Sequence, residues 1–374
     1  MDFSPLLIFS ISILVTSLTY KYFGASFALD IPDSRKGHID AIPQIGGLIF
    51  GVLYLLTLIF LDIVSSWYLI CGLITIFLGV VDDIYHLSWK IKLIIQLFIA
   101  SIIAYVFWGL FSNVTFYNYS IELSETVLFI IFLVWFIGIY NAINLIDGLD
   151  GLAGGFSFIL LISIGLSNLE IFSQINIILS IIILSFLIFN QRPAKLSMGD
   201  AGSLFLGFHT AVLPLLYYEN NTVFETINMT PFILLTSFLI ADTTRVFFTR
   251  ILDGKSPMTA DTIHFHHLIF QQSGSYLASI FSIFFVIIFS VIFAVLSFHS
   301  FLSSNIMLAH MALLLLFILT PPIETYVPII TKITSPIYLW YKNSNNDSSS
   351  FIRTFFVILL FIGIIFSQVF SISF

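Results

Sequence analysis

Two aspartates stand side by side at Asp82-Asp83, directly after the apolar run Leu78-Gly-Val-Val81. Adjacent carboxylates can share a divalent cation, or one can act as a base while its neighbour orients it. They are also expensive near hydrocarbon, at about 2.5 to 3.5 kcal/mol for a centrally placed Asp on an insertion scale. A solvated helix end is the competing reading of the pair. A second cluster, Asn141-Ala-Ile-Asn144-Leu-Ile-Asp147-Gly-Leu-Asp150-Gly-Leu-Ala-Gly-Gly155, brings four carboxamide or carboxylate groups together within ten residues. If the segment is helical, three-residue spacing puts Asn144 with Asp147, and Asp147 with Asp150, on shared faces. Its glycines would then admit a substrate close to the backbone. The alternative is an Asp-Gly turn between two helices. An EF-hand is excluded, because its acidic spacing and closing Glu are absent.

Further along, Ser197-Met-Gly-Asp200-Ala-Gly-Ser203 opens an apolar stretch. Free N–H groups at a helix start favour phosphate, although Asp200 can equally be read as a simple N-cap. No Gly-Lys-Ser/Thr follows, so this is not a P-loop. The last cluster holds Asp242-Thr-Thr-Arg245, Gly254-Lys-Ser-Pro257 and Asp261-Thr-Ile-His264-Phe-His266-His267. Three histidines within four residues suggest zinc, but the zincin spacing and its internal Glu are missing. Imidazoles beside Arg245, Arg250 and Lys255 serve as well as donors to a diphosphate. The remaining histidines, His38, His86, His209, His299 and His310, read as packed or interfacial side chains. Taken together, the acidic groups suit Mg²⁺, and the basic groups with helix starts suit phosphates. That combination fits a nucleotide diphosphate donor meeting a lipid phosphate acceptor.

The elements that position these clusters are membrane helices. The 374 residues are 59% hydrophobic and only 9% charged, against about a quarter charged in a soluble protein. Backbone hydrogen bonds must close within helices, because open chain cannot face lipid. Apolar runs at 3–20, 46–62, 65–81, 93–112, 126–140, 152–168, 172–189, 203–218, 228–248, 277–297, 303–321 and 354–373 predict an all-α polytopic integral membrane protein, with spans of about 20 residues each. The count is 11 or 12 transmembrane helices, the twelfth being the uncertain member. Residues 1–322 form a transmembrane catalytic domain with its motifs within 30–270, residues 323–353 a cytoplasmic linker, and 354–374 an additional C-terminal helix. The first span reads as a retained helix, not a cleaved signal. Cys71 is the single cysteine, so no disulfide framework is expected, and a net charge of -7 argues against nucleic acid. Ten of the 13 basic residues (Lys21, Arg35, Lys36, Lys90, Lys92, Arg192, Lys195, Arg245, Arg250 and Lys255) flank or occupy the connections after odd-numbered spans up to the ninth. The positive-inside rule makes that side cytoplasmic. All the polar clusters fall on it, which predicts one site. A transporter would gather such residues near the midplane on repeated, broken helices, and no repeat is visible.

At this point the chain resembles the polyprenyl-phosphate N-acetylhexosamine-1-phosphate transferases, and within them the bacterial WecA/TagO-type enzymes. The resemblance is carried in order by Asp30-Ile-Pro-Asp-Ser-Arg-Lys-Gly-His38 with Pro43-Gln-Ile-Gly-Gly47, Gly79-Val-Val-Asp-Asp83, Asn141 to Gly155, Met198 to Ser203, and Gly254-Lys-Ser-Pro257 with Asp261 and His264-Phe-His-His267. It implies transfer of GlcNAc-1-phosphate from UDP-GlcNAc to undecaprenyl phosphate in the bacterial inner membrane, with the site on the cytoplasmic face. Another UDP-N-acetylhexosamine is the alternative donor. The resemblance further implies that Asp200 and Asn144 hold Mg²⁺, with Mn²⁺ as the alternative. Asp82 with Asp83 would assist the lipid phosphate, and Asp147 and Asp150 would orient the nucleotide or metal. His264, His266, His267 and Arg245 would hold the donor's phosphates and sugar. Asn141 is grouped with the substrate-binding residues, and Lys36 with the lipid phosphate. A homodimer and the downstream polymer are left open. Two departures stand out: Met258 follows Ser-Pro where the family usually carries an aromatic, and an apparent twelfth span replaces an expected cytoplasmic tail.

Overall fold

The computed structural model describes residues 5–24, 28–30, 41–116, 119–166, 170–219, 226–258, 262–273, 275–298 and 310. Their elements run α1 (Pro5–Phe23), β1 (Leu29–Asp30), β2 (Ile42–Pro43), α2 (Gly46–Leu61), α3 (Ser66–Tyr85), α4 (Trp89–Val106), β3 (Asn113–Phe116), β4 (Tyr119–Glu122), α5 (Glu125–Ile146), α6 (Leu152–Gly165), α7 (Glu170–Asn190), α8 (Gly199–Glu219), β5 (Thr226–Asn228), α9 (Thr230–Leu235), α10 (Ser237–Leu252), α11 (Phe265–Ser273) and α12 (Tyr276–Phe298). Among the described residues seven helices, α1, α3, α4, α5, α7, α8 and α12, are long and apolar enough to cross a membrane, and α2 and α6 are shorter apolar helices. This is the polytopic α-helical architecture read from the sequence. The expected span at 303–321, apart from His310, the span at 354–373, the 323–353 linker and Lys36 lie outside the described residues.

Helix α8 is the axis of the fold. Every residue from Ala201 to Leu216 is buried, and α2, α3 and α5 pack around it. A helix apolar on all sides belongs inside such a bundle. Its neighbour α3 is two-faced: Ile70, Leu73, Phe77 and Ile84 face outward, while Tyr68, Cys71, Gly72, Thr75, Gly79 and Asp82 turn inward at helical spacing. Small residues let membrane helices approach closely. A side chain at Gly79 would strike the backbone of Asp200 and Ala201, and one at Gly47 the backbone of Gly202.

Helices α3 and α8 run antiparallel, so the C-terminal end of α3 meets the start of α8. At the other end, Ser65 and Trp67 Nε1 both donate to Glu219 Oε1. That far end also carries a sheet in the order β4-β3-β5, with β3-β4 antiparallel and β3-β5 parallel. An apolar cavity lined by Phe107, Phe132, Trp135 and Ile227 lies there too, remote from the polar clusters.

Several boundaries differ from the sequence reading in ways that matter. Helix α5 runs on to Ile146, so Asn141 and Asn144 sit inside it, and α4 begins at Trp89, so Lys92 belongs to its first turn. The span expected at 228–248 is two helices, broken at Thr236, whose hydroxyl donates to Phe232 O. Ser and Thr compete for backbone groups in this way. The break lets Ser237 Oγ reach Ser290 Oγ of α12 at 2.7 Å.

Candidate active site

The start of α8 is anchored before it carries any chemistry. Gly46 N donates to Ser197 O at 3.0 Å, Gly47 N to Met198 O at 2.9 Å, and Ser197 N to Pro43 O at 3.0 Å. These three bonds stitch the Pro43–Gly47 segment to the strand of chain entering α8. Asp83 then caps the helix from α3: Oδ1 accepts from Asp200 N at 2.7 Å and Oδ2 from Ala201 N at 3.1 Å. Two of the free amides of the first turn are thereby satisfied by a carboxylate at the positive end of the helix dipole. Gly199 has φ +64, and a Cβ there would lie 2.6 Å from Asp83 Oδ2. Only glycine therefore suits that position. The capping residue is Asp83, and Asp200 is free of that role.

Asp200 points instead toward Asp82. Lys92 Nζ lies 2.6 Å from Asp82 Oδ2 and 4.0 Å from Asp200 Oδ2. Asp82 Oδ1 accepts from Leu87 N at 2.8 Å. Asn144 Nδ2 donates to Asp200 Oδ1 at 2.6 Å and to Ser203 Oγ at 2.8 Å. Both amide hydrogens of Asn144 are thus committed, which leaves its carbonyl oxygen as the face available to a ligand. The Asp82 side chain is 2% exposed, whereas that of Asp200 is 33% exposed. The cluster is closed beneath and open at Asp200. Among the described residues no three His, Cys, Asp or Glu side chains form a metal cage. The oxygens of Asp200, Asn144 and Asp82 are nonetheless the hard donors that Mg²⁺ takes when it keeps waters and binds substrate phosphates through one or two carboxylates.

Helix α5 ends at Ile146, and residues 147–151 form a turn before α6. Asp147 and Asp150 therefore do not share a helical face; the Asp-Gly turn is the arrangement present. Gly151 takes φ +74, a conformation that ends helical continuity at little steric penalty only for glycine. The turn meets the histidines: a Cβ at Gly148 would lie 2.5 Å from His266 Nε2 and 3.1 Å from His267 Cε1. Burial, reinforced by the neighbouring His267, holds His266 well below the usual imidazole range.

Asp242 organises the same region. Its Oδ1 accepts from Arg245 Nη2 at 2.9 Å and from Phe265 N at 3.1 Å, and its Oδ2 meets His264 Nδ1 at 2.8 Å. Arg245 Nη2 also donates to Ile263 O at 2.6 Å. One buried carboxylate so fixes the cation, the first histidine and the start of α11. His264 Nε2 and His266 Nε2 are buried without a hydrogen-bond partner, and their rings lie 5.9 Å apart.

A Bacillus subtilis protein named a probable undecaprenyl-phosphate N-acetylglucosaminyl 1-phosphate transferase is 36% identical over 277 residues, covering 69% of this chain and 74% of that protein. A family model, Glycosyl transferase family 4, matches residues 66–218. The chain belongs to glycosyl transferase family 4. Proteins of Thermotoga maritima and Escherichia coli K12, each named undecaprenyl-phosphate alpha-N-acetylglucosaminyl 1-phosphate transferase, are 28% identical over 271 residues and 29% over 282. They cover 71% and 70% of this chain and 81% and 75% of their own lengths.

In this glycosyl transferase family 4 chain, two groups of expected residues come together. Asp82, Asp83, Asn144 and Asp200 converge where α3, α5 and α8 meet, while Arg245, His264, His266 and His267 gather against the turn that holds Asp147 and Asp150. Asn141 is placed otherwise: it exchanges two amide hydrogen bonds with Gln96, at 3.0 and 2.8 Å, and ties α4 to α5. Both of its polar atoms are used by that strut, so the structure gives it a helix-pairing role. Lys255 is exposed and pairs with Asp253 at 3.3 Å. Two residues were missed as site members. Lys92 was legible only as a marker of sidedness, although a lysine so near two aspartates is itself a signal; Asp242 was visible in its cluster without its partners.

Proposed function

We propose that this chain transfers GlcNAc-1-phosphate from UDP-GlcNAc to undecaprenyl phosphate, releasing UMP, at the cytoplasmic face of a bacterial inner membrane. The observation that carries the reading is the open cluster of Asp200, Asn144, Asp82 and Lys92 at the capped start of α8. The names of the relatives support the substrates, and the ten basic residues on that side support the orientation.

The reaction brings a lipid phosphate to a diphosphate, so anionic repulsion is the first obstacle. A phosphate monoester with a second pKa near 6 is already largely dianionic at about pH 7. Strong base catalysis is therefore not required of Asp82. An oxygen of the lipid phosphate attacks the sugar-bearing phosphorus of the donor, the bond to the bridging oxygen breaks, and that oxygen leaves with its electron pair on UMP. The lipid diphosphate sugar keeps the GlcNAc. Mg²⁺, with Mn²⁺ as substitute, would be held by Asp200, Asn144 and Asp82, and would supply neutralisation of the diphosphate. Lys92 lies between the two carboxylates and adds positive charge where the two phosphates approach each other. Arg245 and His266 Nε2 donate to the donor's phosphates and sugar, His264, whose Nδ1–H is held by Asp242, offers Nε2 to a sugar hydroxyl, and the Asp147–Gly151 turn sets their distance from Asp200. Asp83 contributes indirectly by holding α8 so that Asp200 faces outward. Electrostatic positioning of this kind is the main catalytic resource in phosphoryl transfer.

Radiolabelled UDP-GlcNAc, undecaprenyl phosphate and the full chain in detergent test the proposal. Label should enter the lipid with equimolar UMP release, stop with EDTA and resume with Mg²⁺. Absence of lipid labelling, beside an active control membrane, rejects UDP-GlcNAc as donor; a panel of other UDP-N-acetylhexosamines then decides the alternative.

A further inference from the structure

Buried polar atoms without partners are scarce in folded proteins, and each calls for an explanation. Five such nitrogens occur among the described residues: Arg192 Nη1, Arg245 Nε, His264 Nε2, His266 Nε2 and His310 Nδ1. Three belong to the histidine and Arg245 group already described, and His310 packs against Phe293. Arg192 is different, because it enters from the loop between α7 and α8.

That loop is tied to the Asp147–Gly151 turn. Asn190 Oδ1 accepts from Gly151 N at 2.9 Å, while Asn190 Nδ2 donates to Leu196 O at 2.8 Å. Tyr276, at the start of α12, donates its hydroxyl to Asp150 O. The Arg192 guanidinium lies 4.7 Å above the Tyr276 ring centroid. Arg192 and His266 thus flank one turn, His266 at Gly148 and Arg192 near Asp150 and Gly151. Stacking on an aromatic face accommodates the charge of a guanidinium but leaves its N–H groups unpaired. Nη1 is sealed from water, and arginine does not lose its proton. An acceptor brought by a bound ligand would complete its pairing, and a guanidinium fork fits phosphate oxygens best.

We propose that Arg192 is a further contact for the donor nucleotide, donating from Nη1 to a phosphate oxygen, with Tyr276 as its positioning residue. The inference rests on the function proposed above. The turn shared with His266 assigns Arg192 to the donor's phosphates and not to the lipid's.

Steady-state kinetics of the full chain, with UDP-GlcNAc and undecaprenyl phosphate varied separately, and direct binding of UMP test it. Arg192→Ala should raise KM for UDP-GlcNAc and Kd for UMP about tenfold, the worth of one charge-assisted hydrogen bond. The KM for undecaprenyl phosphate should stay within about twofold. Arg192→Lys, which keeps the charge and loses the fork, should fall between. Tyr276→Leu should resemble Arg192→Lys, and Tyr276→Phe, which keeps the ring, should lie closer to wild type. Unchanged UDP-GlcNAc and UMP affinities in both Arg192 variants would overturn the proposal, as would a shift confined to the lipid substrate. A wild-type chain that binds neither UMP nor UDP-GlcNAc removes this inference and the proposed function together; a wild type that binds and transfers normally, beside indifferent Arg192 variants, removes this inference alone.

Discussion

Helix α8 carries two polar clusters, and they are built on opposite principles. At its first turn, Asp200 joins Asp82, Asp83, Lys92 and Asn144. Nine residues later, about 13 Å along the axis, His209 joins Tyr68, Asn176 and Tyr54, all of them 0% exposed. The inner cluster is saturated. His209 Nδ1 meets Tyr68 Oη at 2.6 Å, His209 Nε2 meets Asn176 Oδ1 at 3.1 Å, Asn176 Nδ2 donates to Phe172 O, and Tyr54 Oη donates to Ile175 O at 3.2 Å. An Asn carbonyl oxygen only accepts, so His209 Nε2 donates and its Nδ1 accepts from the tyrosine. No ligand is needed to complete it. The first-turn cluster instead sets like charges together, requires glycine at position 199 and leaves Asp200 open. Burial of polar groups in a membrane protein is therefore not by itself a mark of function; what sets the first turn apart is charged groups gathered together with one carboxylate left open.

If that distinction holds, substitutions should separate cleanly into those that remove activity and those that remove stability. The largest effect is expected from Asp200→Asn: transfer activity should fall by roughly a thousandfold or more, at the upper end of what one preorganised electrostatic group contributes. Its thermal midpoint should stay level or rise, since one of three neighbouring carboxylates loses its charge. A variant that retained a tenth of wild-type activity would end the metal-ligand assignment. Lys92→Met comes next, with a loss of about a hundredfold. It should also lower the midpoint, because Asp82 and Asp200 then face each other without a counter-ion. Added Mg²⁺ should recover that midpoint more than it raises the wild type's, and equal increments in the two would show that the cation does not bind between these carboxylates.

The contrast also explains what could be read from the chain. The apolar runs placed nearly every described span, because a membrane imposes one hydrophobic length on each. The polar motifs were visible as motifs, since so few charges occur elsewhere. Partnership was not visible. Asp83 reaches α8 from α3, and sequence spacing cannot say that it, and not Asp200, is the cap. Asn141 carries the same functional group as Asn144 only one helical turn away, yet it faces Gln96 on α4 while Asn144 faces Asp200. The Asp147–Asp150 spacing fits a helix face, and the positive φ of Gly151 decides for a turn. The short strands β3, β4 and β5 lack any alternating apolar pattern long enough to announce them.

For the saturated cluster, His209→Leu is the informative change. It strands the Tyr68 hydroxyl and the Asn176 carbonyl in a dry interior, at about 1 to 3 kcal/mol for each unsatisfied group. Thermal unfolding in detergent should shift down by roughly 5 to 15 °C, while KM for both substrates holds. A changed KM with an unchanged midpoint would mean that this cluster participates in binding and that saturation is a poor criterion.

The smallest expected effect concerns His266, which lies at the site yet behaves like the interior. Burial and the neighbouring His267 hold it well below the usual imidazole range, against the opposing pull of Asp242. In the unfolded chain the same imidazole titrates near pH 6.5. The folded value is the lower one, so the unfolded state binds the extra proton: stability is complete above about pH 7.5 and declines as pH falls through 6.5, by at most about 1.4 kcal/mol per pH unit. Midpoints measured at about pH 8, 6.5 and 5.5 should therefore fall more steeply for wild type than for His266→Gln, which has no proton to take up. Parallel slopes would show that His266 exchanges protons freely in the folded state, and would place it with the open groups around Asp200 instead of with His209.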